Sequence, residues 1–308
     1  MPLIKKQETT RAYDSVRKTT CGNCPTGCGL KVFLSAGKVV DIFGDEDHPI
    51  NKGSVCPKGL LTHFHLDHPS RIVTAGIRSA VTEDFTIVSW DRAIDYIRGN
   101  LKGLVEKYGR EAILLYESES DPFEYRMGAA WFVRETGLGV PVSGGSPAAG
   151  SRTRSVLEKM FGIPQSHLLT NHPRDWCHSK CLVVYASDLA RSDPVTFGPI
   201  IDARDRGADL IVIDQVPTRT SLMASTSVIV QPGTRSVFLK GVIRYLIDRG
   251  WVDHDFLSRE TTGFDALAAN LQAYTIDRVA QTCRVDSREI AAVGDRIGKC
   301  WPVQVIAG

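Results

Sequence analysis

The sequence predicts an α/β protein with a small cysteine-rich unit ahead of the sheet. Short apolar runs rich in β-branched residues recur from Cys181 onward, and stretches of helical periodicity separate them. Four of the eight cysteines fall within the first 56 residues. Short buried strands alternating with helices imply parallel strands joined by right-handed crossovers.

Residues 1–18 read as a polar arm. Leu30–Asp45 alternates apolar and polar residues around Ala36-Gly37, the pattern of a small hairpin. Ser89 is placed to cap a helix running to about Lys107, with Ala93, Ile94, Ile97, Leu101, Leu104 and Val105 on one face and Gly109 after its end. A strand at Ala112–Tyr116 and helices at Tyr125–Thr136 and Ser151–Phe161 follow. The clearest block has strands at CLVVYAS from Cys181, at Leu210–Asp214 and at Val228–Gln231, with helices at Phe197–Arg206 and Ser236–Arg249. Thr275 and Ser287 look like caps of further helices, and WPVQVIAG reads as a last buried strand. Trp90, Trp131 and Trp251 sit at helical or capping spacings and read as core.

Composition is that of an ordinary globular chain, with 43% hydrophobic and 23% charged residues. A net charge of +2 gives no reason to propose nucleic acid or an anionic membrane as partner. No apolar run approaches the roughly 18–20 residues of a membrane helix, and no export signal is legible, so a cytoplasmic protein is expected.

Cys21-x2-Cys24-x3-Cys28 is followed after 27 residues by Cys56. In a reducing compartment, clustered cysteines read as metal ligands rather than disulfides. Three thiolates on one tight loop and a distant fourth suit an iron–sulfur cubane, with Gly22, Gly27 and Gly29 letting the backbone wrap closely. Four cysteines also suit a structural zinc, but zinc sites usually come as two CxxC knuckles. Two further patterns compete for attention. His63-Phe64-His65-Leu66-Asp67-His68 spells the HxHxDH of zinc hydrolases, and Cys177-His178-x2-Cys181 could be a second metal cluster. The first lacks the preceding buried strand it needs; in the second, Cys181 opens an apolar strand. Both read as coincidence.

The stretch CGNCPTGCGLKVFLSAGKVVDIFGDEDHPINKGSVCPKG resembles the N-terminal iron–sulfur domain of the molybdopterin guanine dinucleotide oxidoreductases, the family of formate dehydrogenases, nitrate reductases and polysulfide reductases. HPSRI and SWDRAIDYI resemble the segments that follow it, and LVVYASDLARSDPVTFGPIIDARDRGADLIVID with QPGT resembles the family's nucleotide-binding domain. The resemblance implies a 4Fe-4S domain over residues 1–68, part of a second α/β domain over 69–140, and a Rossmann-like nucleotide-binding domain over 141–308 that stops short of the family's full length. It implies a 4Fe-4S cluster on Cys21, Cys24, Cys28 and Cys56, and a molybdopterin guanine dinucleotide carrying Mo or W. Lys58 matches a lysine lying between cluster and pterin, an electron relay. Ser187, Asp188, Asp214, Gln215, Thr218, Gly233, Thr234 and Arg235 fall at the nucleotide pocket, with Thr220 nearby. Ser146 or Ser151 stands near the family's metal-ligand position.

Two positions depart from the family pattern. Gly-Ser-Asn-Pro becomes Ala186-Ser187-Asp188-Leu189, and Pro-Gly-Thr-Asp becomes Pro232-Gly233-Thr234-Arg235. The second removes the acceptor for guanine's N1–H and N2–H; an Asp188–Arg235 pair is one way to fill the gap. The resemblance thus implies an oxidoreductase subunit or fragment, completed by a second polypeptide or served by a ferredoxin-like or flavin redox partner. The alternatives are a non-catalytic electron-transfer subunit without pterin and a truncated reading frame without activity.

Overall fold

The computed structural model describes residues 9–24, 26–117, 123–139, 141–143, 156, 158–162 and 172–307. Two compact units emerge: one from residues 8–43 and 57–170, the other mainly from residues 44–56 and 171–308. The boundary therefore crosses the cysteine-rich segment twice.

In the first unit, strands β1 (Ser15–Thr20), β2 (Gly29–Ser35) and β3 (Lys38–Gly44) form a sheet with β2 in the middle. Ala36 (φ 50°) and Gly37 (φ 77°) make the predicted turn, both in the left-handed region that tight hairpin turns require. β1 corrects the expectation of a polar arm to residue 18, since Ser15 pairs with Leu34 and Thr20 with Gly29. Its sequence, SVRKTT, hides the strand because an edge strand needs no apolar alternation and is protected by its charges. Tyr13 and Phe43 pack edge-on against buried Phe33, at 5.0 and 5.7 Å between ring centroids.

Beyond residue 56 this unit has two short ladders, β4 (Ala75–Ile77) against β5 (Thr86–Val88) and β6 (Leu115–Glu117) against β7 (Pro141–Ser143), with helices at Trp90–Tyr108 and Phe123–Thr136. Ser89 caps the first helix by accepting from the Arg92 amide, and Gly109 closes it, as predicted. The core expectation fails here. Only Ala93 of that helix is buried, and Trp90 and Trp131 are 66% and 67% exposed. The apolar periodicity is genuine, but no described element covers that face.

The second unit is built on a sheet of β8 (Cys181–Tyr185), β9 (Asp209–Asp214), β10 (Thr226–Ile229) and β11 (Val303–Ala307). The strands are parallel throughout, in the order β10-β9-β8-β11. Alternate residues face opposite layers. Cys181, Val183, Ile211 and Ile213 pack with Phe238, Val242, Val279, Ile290 and Val293 of the helices Arg235–Asp248, Ile276–Cys283 and Ser287–Lys299. Leu182, Val184, Leu210, Val212 and Ile306 pack with Trp176, Phe197 and Ile200 on the other side, where the Pro194–Asp205 helix lies. Asp286 rather than Ser287 caps the Ser287–Lys299 helix, through a capping box with Glu289. Among the described residues, no helix is long and apolar enough to cross a membrane.

Helix contact on the first face depends on two glycines. A Cβ on Gly241 would meet Val279 Cγ1 at 2.8 Å, and one on Gly294 would meet the Tyr245 ring at 2.4 Å. Gly198, inside the Pro194–Asp205 helix, has nothing within 4 Å of such a Cβ. In urea unfolding, Gly241→Ala should therefore cost about 1–3 kcal/mol through overpacking. Pro199 follows Gly198 and disfavours a Cβ there, so the control is Gly103→Ala in the Trp90–Tyr108 helix, equally open, which should gain up to about 1 kcal/mol from helix propensity. A gain from both substitutions would show that the helices do not meet at Gly241.

Candidate functional site

The first three cysteines occupy the eight-residue loop Cys21–Cys28 between antiparallel β1 and β2. The Cys21 amide donates to the Cys28 carbonyl at 2.8 Å and closes the loop. Gly27 turns at φ 62°, a conformation that costs glycine nothing. Cys21 and Cys28 are 8% and 4% exposed, and Cys24 is half-buried, 3.4 Å from Thr26 Oγ1. Asn23, which the sequence reading passed over, ties this loop down. Its Nδ2 lies 3.4 Å from Cys21 Sγ and donates to the Lys58 carbonyl at 3.0 Å and to Thr62 Oγ1 at 2.6 Å. A carboxamide set between two closely spaced cysteines was the available signal. Lys58 lies exposed on the short Pro57–Leu60 helix, whose last turn Thr62 also clasps through the Lys58 carbonyl at 2.8 Å.

Cys56 belongs to the second unit, at the end of a tight turn. The buried Asp45 carbonyl accepts from the amides of His48 and Gly53, and Asn51 Nδ2 donates to the Ser54 carbonyl at 2.7 Å. A Cβ on Gly44 would meet the Gly53 carbonyl oxygen at 2.2 Å, so only glycine permits this closure. Arg174 Nη2 fastens the turn through the carbonyls of Pro49 at 2.6 Å and Ile50 at 3.0 Å. Cys56 is 9% exposed. None of the four cysteines forms a disulfide, and cysteine is the residue type that ligates iron–sulfur clusters.

The remaining cysteines have other surroundings. Burial pushes the Cys181 thiol up to about 12, reinforced by Cys300 and Asp209. Cys283 is fully buried, its thiol raised by burial and bonded to the Thr234 carbonyl at 3.6 Å. Both are protonated core groups. Cys177 lies in the 3-10 turn Pro173–His178. The HxHxDH ring nitrogens are engaged locally: His63 Nδ1 lies 3.1 Å from the Leu60 carbonyl, and His68 Nδ1 accepts from the Ser70 amide at 3.1 Å. Among the described residues, no three His, Cys, Asp or Glu side chains gather as a single-ion site.

The residues expected at a nucleotide pocket follow the carboxyl ends of the parallel strands. The strand order reverses between β8 and β11, and open α/β sheets bind ligands outside the carboxyl ends at such a point. Ser187 and Asp188 follow β8. Ala186 before them takes φ 55°, a left-handed conformation that explains the glycine in the family pattern. Asp188 does not pair with Arg235. Its Oδ1 accepts from the Thr220 amide at 3.0 Å and the Thr220 hydroxyl at 2.8 Å. Asp214 ends β9, 9% exposed, and accepts from the Gln215 amide at 2.7 Å. Thr218 and Ser221 bond each other reciprocally, each amide to the other's hydroxyl. Gly233 turns at φ 85°, Thr234 directs its hydroxyl to the Gln231 carbonyl, and Arg235 begins a helix with its guanidinium over the Tyr185 ring. Ser146 and Ser151 lie outside the described residues.

Comparison with known proteins follows the same division. Residues 14–68 match the molybdopterin oxidoreductase Fe4S4 domain. The F420-dependent formate dehydrogenase 2 subunit alpha of Methanococcus maripaludis is 26% identical over 88% of this chain and 39% of its own. The assimilatory nitrate reductase catalytic subunit of Bacillus subtilis is 24% identical over 95% of this chain and 40% of its own. The chain thus spans about two fifths of the length of these relatives. In structure it is similar to acetylene hydratase from Pelobacter acetylenicus, with a TM-score of 0.73 over 94% of this chain and 40% of the other at 22% identity, which establishes the fold. Cysteine loop, parallel sheet and relatives agree: residues 14–68 are a molybdopterin oxidoreductase Fe4S4 domain, in a chain homologous over most of its length to the molybdopterin subunits of formate dehydrogenases and nitrate reductases.

Proposed function

We propose that this chain is the cluster-bearing and nucleotide-binding part of a cytoplasmic molybdopterin oxidoreductase. Cys21, Cys24, Cys28 and Cys56 hold a 4Fe-4S cluster, and the strand ends bearing Ser187, Asp214 and Arg235 receive the nucleotide of a Mo- or W-pterin. When bound, the cluster supplies one-electron transfer and the metal–pterin supplies two-electron chemistry on a small substrate. The protein's part is to position and tune. Asn23 directs an N–H at the Cys21 sulfur, and such bonds raise a cluster's potential. Lys58, held two residues beyond Cys56, is the electron relay and places a cation beside the path. The supporting observation is the closed cysteine loop: three thiols in eight residues, drawn in by the Cys21–Cys28 backbone bond. A cluster subunit without pterin is the second reading, favoured by Arg235 where the family pattern has an acid.

A companion polypeptide completes the pterin site in this proposal. Ile94 and Ile97 of the Trp90–Tyr108 helix are 57% and 55% exposed, and they line a groove of about 700 Å³ with Leu101, Val105, Phe132 and Leu138. A patch of this kind marks an interaction surface.

Protein purified anaerobically should carry about four irons and a reducible cubane signal in electron paramagnetic resonance. Cys24→Ala and Cys56→Ala should abolish the signal, whereas Cys177→Ala should leave it. Asn23→Ala should keep the iron and lower the midpoint potential. Stoichiometric zinc without iron would sink the assignment. Alone, the chain should self-associate in sedimentation and show no turnover, and Ile94→Glu with Ile97→Glu should restore a monomer. A monodisperse wild-type monomer with turnover would refute the need for a companion.

A further inference from the structure

Arg235 is the first residue of the 14-residue helix Arg235–Asp248, and its Cζ lies 5.7 Å from the centroid of the Tyr185 ring. A cation–π contact engages the charge of a guanidinium but uses none of its fork of N–H donors as hydrogen bonds to a carboxylate or carbonyl. No carboxylate among the described residues pairs with that fork. Asp188 is bonded to Thr220, and Asp214 to the Gln215 amide. Tyr185 closes β8, so the fork stands at the carboxyl end of the strand beside which the sheet order reverses. Beside it Gly233 is open, with nothing within 4 Å of where its Cβ would be. The first amides of the helix are donors as well.

Arg235 and the first amides of the helix therefore bring donors to this corner. A ligand group that pairs with the guanidinium fork must offer two adjacent acceptors in one plane. Guanine's N1–H and N2–H edge offers Arg235 only donors. Its opposite edge, O6 and N7, is a planar pair of acceptors, and a bidentate arginine is its common partner. Adenine pairs N7 with a donor at N6 and satisfies only half of the fork. We propose that Arg235 is the base-reading residue of the crevice and takes guanine by its O6/N7 edge, the reverse of recognition by an acid at this position. The inference rests on the crevice being a nucleotide site.

The test uses the full chain, prepared anaerobically, titrated by calorimetry with GMP, IMP, 7-deaza-GMP, AMP and CMP. IMP keeps O6 and N7 but lacks the 2-amino group, so it should bind within about twofold of GMP. Loss of N7 should weaken 7-deaza-GMP, and AMP should fall with it, each by about 5- to 150-fold, the range of one bidentate contact. Arg235→Ala should bring GMP down to the level of AMP. Arg235→Asp should invert the order, so that 7-deaza-GMP matches GMP and IMP falls behind. Equal binding of GMP and 7-deaza-GMP by the wild type, with IMP weakened, would overturn the edge assignment and leave the crevice intact. Equal binding of all five, weakened alike by Arg235→Ala, would make Arg235 a phosphate contact and also overturn it. Binding of none would overturn the inference together with the nucleotide site.

Discussion

A thiol sulfur removed from water needs a metal, an N–H donor or its own proton to be stable there. This requirement sorts the cysteines. Cys181 and Cys283 keep the proton, their thiols pushed up by burial in an apolar layer. Cys21, Cys28 and Cys56 are nearly as buried, yet they lie among turns rather than in a core. The backbone there is bent at real cost. Gly44 and Gly53 meet with no room for a side chain, and Lys52 takes φ 43°, which a non-glycine residue adopts only under constraint. Strain of this kind fixes the backbone of the turn that leads to Cys56.

The parallel sheet answers a different constraint. β8 and β9 are buried on both faces, and the order β10-β9-β8-β11 gathers the loops after the parallel strands at one end. Helices on one face approach closely because Gly241 and Gly294 admit Val279 and Tyr245. Tight packing behind the strand ends gives Tyr185 and Asp214 fixed positions, and a site needs such rigidity beneath it.

Much of this was legible in the sequence, and the exceptions have physical causes. The β8 and β9 strands announce themselves because a two-sided buried strand must be continuously apolar; β11 forms where expected, but only Ile306 of it is buried. The Ala36-Gly37 turn does so because few residues accept positive φ. β1 was hidden because an edge strand can be wholly polar. Trp90 and Trp131 misled because periodicity reports that a face is apolar, not what covers it. The cysteine set stood out by its spacing, but Asn23 was not singled out, since its contacts depend on Lys58 and Thr62, 35 and 39 residues away. The helices His254–Glu260 and Phe264–Leu271 went unread because both are too short for their periodicity to stand out.

The departures from the family pattern look electrostatically hostile in sequence, and the structure resolves each differently. Asp188 places a carboxylate where a pyrophosphate would approach, but its Oδ1 faces inward to the Thr220 amide and hydroxyl, and the Thr220 hydroxyl donates there while accepting from the Ala190 amide at 3.0 Å. The charge is spent on fixing the loop after β9 to the turn after β8. A group so committed is a poor source of repulsion, because two donors already stabilise it. Arg235 has the opposite fate. The Tyr185 ring lies beside its charge but is no acceptor for its in-plane N–H groups, and no carboxylate among the described residues pairs with it. One substitution was absorbed into the scaffold and the other was left facing the crevice. Only the second can change what the crevice binds.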